Sequence, residues 1–103
     1  MRCEWRKCLE SGGELECGWR DTDRCPLHLI RRALSVYRSR RASLKAAKVA
    51  RLGPPGERYK LMQLLIRILR ELREVEDLEG RRWRLVAVKG DGRRIYVFRR
   101  VDM

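Results

Sequence analysis

The residues best equipped for chemistry are four cysteines, Cys3, Cys8, Cys17 and Cys25, all in the first quarter of a 103-residue chain. Their spacing is C-x4-C-x8-C-x7-C. Four thiolates suit a closed, tetrahedral structural zinc (Zn2+) site, and the metal would supply folding energy to a segment too short and polar to bury itself. The usual C-x2-C knuckle is missing, but Cys25-Pro26-Leu27-His28 offers a C-x2-H pair in which His28 can replace a thiolate. Two disulfides, unpaired thiols or an iron–sulfur cluster are the alternatives that this spacing leaves open. The chain has no Asn, one Gln (Gln63) and far more Arg than Lys. That composition fits a hyperthermophile, whose interior tolerates disulfides, although a GC-rich genome explains the Arg excess equally.

Catalytic constellations are weak. His28 is the only His, and no Ser or carboxylate is paired with it by sequence logic. No Gly-rich loop opens a helix after a strand, and Gly90-Asp91-Gly92 needs only turn chemistry. Glu74/Glu76 and Asp77/Glu79 read as the solvated end of a helix. Four thiolates would also close a metal site to substrate. No enzymatic activity is expected.

Charge is the more informative feature. The formal net charge is +12 and the pI about 10.6, a balance that favours polyanionic partners. Residues 1–25 carry five Lys/Arg against six Asp/Glu, and residues 57–80 repeat that ratio. Residues 26–56 carry eight Lys/Arg and no acid, and residues 81–103 carry eight Lys/Arg against two Asp. Two basic blocks therefore supply the excess. Solubility alone would intersperse both signs. No apolar run approaches the roughly 20 residues needed to span a bilayer, and the N-terminus has no apolar stretch of the secretory kind, so no membrane partner and a cytoplasmic location are expected.

The elements that must position these charges follow from periodicity. Residues 1–25 look irregular, with a short strand around Leu15–Trp19. Cys25-Pro26 opens a first helix, with Leu27, Ile30, Leu34 and Tyr37 at three- and four-residue spacing. Arg38-Ser39-Arg40-Arg41 ends it, unless it continues to Leu52. Ser43 is the expected N-cap of a second helix, Leu44–Leu52, which Gly53-Pro54-Pro55-Gly56 stops. A third helix is expected from about Glu57 to Leu78, with a Leu61, Leu65, Ile68, Leu72, Val75 stripe and Gly80 as terminator. Two β-type runs, Trp83–Val88 and Ile95–Phe98, flank a Gly-Asp-Gly turn and read as a hairpin.

Three helices followed by a β-hairpin, with Ser43-Leu44-Lys45-Ala46-Ala47-Lys48-Val49-Ala50-Arg51-Leu52-Gly53 as a short second helix ending in Leu-Gly, resemble the winged helix-turn-helix superfamily, in the manner of small archaeal-type DNA-binding proteins. The resemblance covers roughly Pro26 to Val101. It implies that Tyr59–Leu72 is a recognition helix and Arg82–Arg100 a wing. On the third helix Lys60, Gln63, Arg67 and Arg70 fall opposite the apolar stripe, where Arg can pair with guanine and Gln with adenine. Arg58 and Lys60 lie in its first turn, the part that usually reaches base edges. Lys45, Lys48 and Arg51 would meet flanking phosphates, and Arg93 and Arg94 an adjacent minor groove or backbone.

The expected fold class is therefore α+β: a three-helix winged helix-turn-helix followed by a two-stranded hairpin (residues 26–103), preceded by a metal-stabilised Cys-rich segment (1–25). The expected function is non-enzymatic nucleic-acid binding, duplex DNA first, in transcription regulation. The alternative is an RNA-binding accessory of the ribosome or another ribonucleoprotein, taking structured RNA, with Trp83 or Tyr96 stacking on an unpaired base. A third class is an interaction protein whose charge is incidental. The third-helix stripe reads first as intramolecular core and second as the seam of a homodimer through the 57–78 helix.

Overall fold

The computed structural model describes residues 5–10, 22, 24–90 and 94–101. The fold is mixed α+β. Helix α1 (Trp5–Glu10) is followed by α2 (Pro26–Ser35), strand β1 (Arg41–Leu44), α3 (Ala46–Ala50), a 3-10 turn (Pro55–Glu57) and α4 (Arg58–Glu71). Strands β2 (Glu74–Glu76), β3 (Arg82–Lys89) and β4 (Ile95–Arg100) complete it. The strands form one antiparallel sheet in the order β1-β4-β3-β2.

Helix α2 starts as its sequence requires, with Pro26 in the first turn after an extended Cys25. Its buried face, Leu27, Leu29, Ile30 and Leu34, joins one core cluster with Leu61, Leu65, Ile68 and Leu69 of α4 and with Trp83, Tyr96 and Phe98 of the sheet. Ala46, Val49 and Ala50 bury the inner face of α3, and their small side chains let this one-and-a-half-turn helix lie close against α4.

Several sequence expectations need correction. Ser43 is not a helix cap: Arg41–Leu44 is a strand paired with β4, and the extended residue before α3 is Lys45. Alternation decides this, since Ala42 and Leu44 point into the core while Arg41 and Ser43 face out. The long third helix stops at Glu71, seven residues before Leu78. Leu72 turns extended, its N–H still bonded to the Ile68 carbonyl, and stays buried. Val75, expected on the helical stripe, sits on β2 opposite Trp83. The two-stranded hairpin is thus the centre of a four-stranded sheet. Gly80 terminates no helix but takes φ +85° in the β2–β3 turn, a conformation that suits glycine. Finally, the irregular N-terminal segment contains α1, whose Trp5 is 7% exposed and packs into the same core. Beside it, Arg6 lies over the Trp5 ring and pairs with Glu71 at 3.2 Å. The strand expected around Leu15–Trp19 lies outside the described residues.

A β-bulge interrupts β3. Leu85 pairs with Phe98 and Ala87 with Val97, leaving Val86 as the extra residue. Such a bulge bends and twists the hairpin end, and Gly90 then leaves β3 with φ +94°.

The β2–β3 turn is built around a fully buried carboxylate, Asp77. Its Oδ1 accepts from the amides of Glu79 (2.8 Å) and Arg81 (3.0 Å), and its Oδ2 from Arg81 Nε and Trp83 Nε1 (both 3.0 Å). Arg81 Nη2 also donates to the Ser35 carbonyl at the end of α2 (2.9 Å), and the Leu78 amide to Ser35 Oγ (2.9 Å). Burial by itself would raise the Asp77 pKa. The bonds from Trp83, Arg81 and Glu79 and the Arg81 charge outweigh it and hold the carboxyl below its ordinary 3.8. A carboxylate lowered on folding contributes stability that is fully present above its unfolded-state pKa and lost as pH falls through the folded one. Asp77→Ala, which strands the Trp83 N–H and part of Arg81, should cost about 3 kcal/mol in urea unfolding at pH 7. It should also shrink the loss of stability below about pH 4; an acid limb identical to that of the native chain would contradict this role.

Candidate nucleic-acid interface

The cations singled out in the sequence separate into two adjoining groups. Lys45, Lys48 and Arg51 stand exposed along α3 and its ends, and Arg94 stands exposed just before β4. Strand β1 delivers the chain to α3 beside the start of β4, because Leu44 is registered with Tyr96. The result is a groove of about 700 Å³ lined by Lys45, Lys48, Arg51, Arg94 and Arg70, with Ala46, Ala47, Met62, Ile66 and Tyr96 completing its walls. Among the described residues, five cations and no acid line it, and none of the five has an ion-pair partner.

The second group lies on α4. Burying Leu61, Leu65, Ile68 and Leu69 turns Lys60, Gln63, Arg67 and Arg70 outward, with Arg58 at the first turn. Arg70 belongs to both groups and joins them. Arg58, Lys60, Gln63 and Arg67 do not line the groove but continue its charge along the helix. Arg93 lies outside the described residues.

The acids of the central segment are spent elsewhere. Glu71 pairs with Arg6, Glu57 with Arg24 at 3.9 Å, Glu79 with Arg81 at 2.9 Å, and Glu74 with Arg84 at 3.4 Å and Arg82 at 3.9 Å. Near-neutrality of residues 57–80 in the sequence therefore hides a spatial segregation. Acid-balanced arginines sit on α1, just before α2 and at the β2–β3 edge; unbalanced cations sit on α3, α4 and the start of β4.

The exposed ring of Tyr59 and the groove position of Tyr96 escaped the sequence reading. Tyr59 is 72% exposed on α4, one turn before Gln63, a placement its i, i+4 spacing could have signalled. Tyr96 is 2% exposed, yet its hydroxyl has no hydrogen-bond partner among the described residues and it helps wall the groove. No local pattern betrays that role, which depends on the β1–β4 register. Burial also corrects the expectation that Trp83 or Tyr96 stacks on a base: Trp83 is wholly buried with its Nε1 on Asp77, and the Tyr96 ring is buried as well.

Of the four cysteines, Cys8 on α1 and Cys25 before α2 are half-buried against the core cluster; Cys3 and Cys17 lie outside the described residues. Among the described residues no group of three or more His, Cys, Asp and Glu could hold a metal ion. His28 on α2 is half-buried and its Nδ1 has no hydrogen-bond partner. No described helix is long and apolar enough to cross a membrane. Comparison of the chain with protein-family models, with curated proteins and with solved structures gave no match.

A buried hydroxyl without a protein partner costs stability unless a ligand or water satisfies it. Tyr96→Phe should therefore leave the melting temperature of the unliganded protein unchanged or raise it, while weakening retention on an immobilised polyanion such as heparin. A clear drop in melting temperature would mean that the hydroxyl serves the fold instead.

Proposed function

We propose that this chain is a non-enzymatic nucleic-acid-binding protein that seats duplex DNA on the α3–α4 face and acts in transcription regulation. The observation that carries this reading is the groove: five cations from α3, α4 and the start of β4, unopposed by any acid and without ion-pair partners among the described residues. Unpaired cations held close together repel one another, and a phosphate backbone relieves that repulsion while releasing its counterions. A winged helix-turn-helix architecture belongs to the same proposal. Support comes from the chain order, in which two short helices lead into α4 and then into the β3–β4 hairpin. In that arrangement the exposed face of α4 enters the major groove, with Gln63 and Arg67 reaching base edges. Lys45, Lys48, Arg51, Arg70 and Arg94 hold backbone phosphates, which position the protein without reading sequence.

A second reading, binding of structured or single-stranded RNA in a ribonucleoprotein, is favoured by one observation: Tyr59 offers an exposed ring on the same cationic face. Stacking on such a ring is worth roughly 1–3 kcal/mol per base. Zinc held by Cys3, Cys8, Cys17 and Cys25 remains part of the proposal, supported by Cys8 on α1 and Cys25 just before α2 both packing on the core.

Three measurements test these statements. Once a preferred duplex has been selected, Arg67→Ala should reduce affinity for it while changing non-specific binding far less, and Lys48→Ala should weaken every duplex alike; equal losses for both variants on all sequences would remove the base-reading role of α4. Tyr59→Ala should leave duplex affinity within a few-fold and weaken unpaired RNA roughly tenfold only if the RNA reading holds. Native mass spectrometry should find one zinc ion, removed by chelator together with part of the thermal stability; a metal-free mass lacking four hydrogens would assign two disulfides instead.

A further inference from the structure

We propose that the outer face of the sheet is a second polyanion-binding surface, holding a separate segment of duplex DNA on a cross-strand ladder of Arg41, Arg99 and Arg84. The inference rests on the nucleic-acid reading of the α3–α4 face but concerns a different surface. Strand pairing places Arg41 of β1 opposite Arg99 of β4, and Arg99 opposite Arg84 of β3. The three arginines therefore form one row across three strands. All are exposed, whereas their neighbours Ala42, Phe98 and Trp83 are buried. The row thus points away from the core on which the helices pack.

Like charges directly opposite one another on neighbouring strands are destabilising, with Cβ atoms only about 4.5–5.5 Å apart. The other half of the same face shows how such repulsion is ordinarily relieved. On β2, Glu74 is registered with Arg84 and Glu76 with Arg82, and Glu74 pairs with both arginines. On β1 and β4 nothing comparable occurs: within the row Glu74 reaches only Arg84, at the β2 end, while Arg41 and Arg99 face each other and, among the described residues, have no ion-pair partner. Guanidinium forks held side by side match phosphate oxygens through paired hydrogen bonds. Each strand of a duplex presents a charge every ~3.4 Å along the axis, so one backbone can engage more than one arginine of the row.

The occupant is a separate segment of duplex because of scale. The protein measures 35 × 32 × 22 Å, while DNA stays stiff over about 50 nm. A duplex lying in the α3–α4 groove cannot curl round so small a body to meet the ladder on its far side. Two faces of this kind let a single copy join two duplex segments.

The test is a bridging assay. A biotinylated duplex is fixed to beads, protein is added, and retention of a second, fluorescent duplex is measured, with solution affinity and oligomeric state determined in parallel. The native chain should retain the second duplex. The double variant Arg41→Gln, Arg99→Gln should bind the first duplex within about threefold of the native chain, keep the same oligomeric state, and lose roughly tenfold or more of the retained fluorescence, since two phosphate contacts are removed from the second face only. Native protein that binds duplex in solution yet retains no second one would overturn the ladder alone, as would undiminished retention by the double variant. Absence of duplex binding in solution would overturn the nucleic-acid reading and the ladder with it.

Discussion

Asp77 carries a charge that folding has removed from water, and the fold is arranged so that four donors reach it. Two backbone amides close the β2–β3 turn on one oxygen, while Arg81 and the indole of Trp83 hold the other. Burying an ion is costly unless every lone pair is satisfied, so the turn, the arginine and the tryptophan are mutually constrained. Through Arg81 and Leu78 the turn also grips Ser35 at the end of α2, and the Arg31 guanidinium reaches the Glu76 carbonyl at 2.8 Å. Trp83 is thereby set in the middle of the core, and the sheet is locked to the helix that supports α3 and α4.

That lock explains how the charge comes to be sorted. Once β2 and the β2–β3 turn are fixed, Glu74 and Glu79 face the arginines of β3 and of the turn, and Glu71 at the end of α4 faces Arg6. Glu57 and Glu71, which flank the outer face of α4, are engaged by Arg24 and Arg6. What remains on α3, on the outer face of α4 and at the start of β4 is positive only, and the groove between them concentrates it. The proposed interface is thus a consequence of where the anions went as much as of where the cations are. Surface ion pairs of this kind contribute little stability individually; their importance here lies in leaving the cations of α3 and α4 unopposed.

The sequence disclosed much of this because helices are local. The Leu61, Leu65, Ile68 spacing marked the buried face of α4 and so, by subtraction, Lys60, Gln63, Arg67 and Arg70 as its outer face. Pro26 marked the start of α2, and the β-type runs either side of Gly90 marked the hairpin. The failures share one cause, which is strand pairing between distant segments. Arg41–Leu44 is too short to declare itself a strand and was outweighed by a plausible serine cap; only β4, fifty residues on, makes it one. Glu74–Glu76 continued a helical pattern until pairing with β3 claimed it. The same non-local pairing hid the groove position of Tyr96 and the burial of Asp77, which by local pattern read as a solvated helix end.

The proposed role of the unopposed cations of α3, α4 and the start of β4 is to hold a nucleic-acid backbone, duplex DNA above other forms. Fluorescence anisotropy of the purified chain against random duplex DNA, structured RNA and single strands, repeated across salt, tests it most directly. If five groove cations each displace counterion from a phosphate, affinity for duplex DNA should be highest and should fall with salt at a log–log slope of about −4 or steeper. Weak binding to all three ligands, or a slope near zero, would contradict the account.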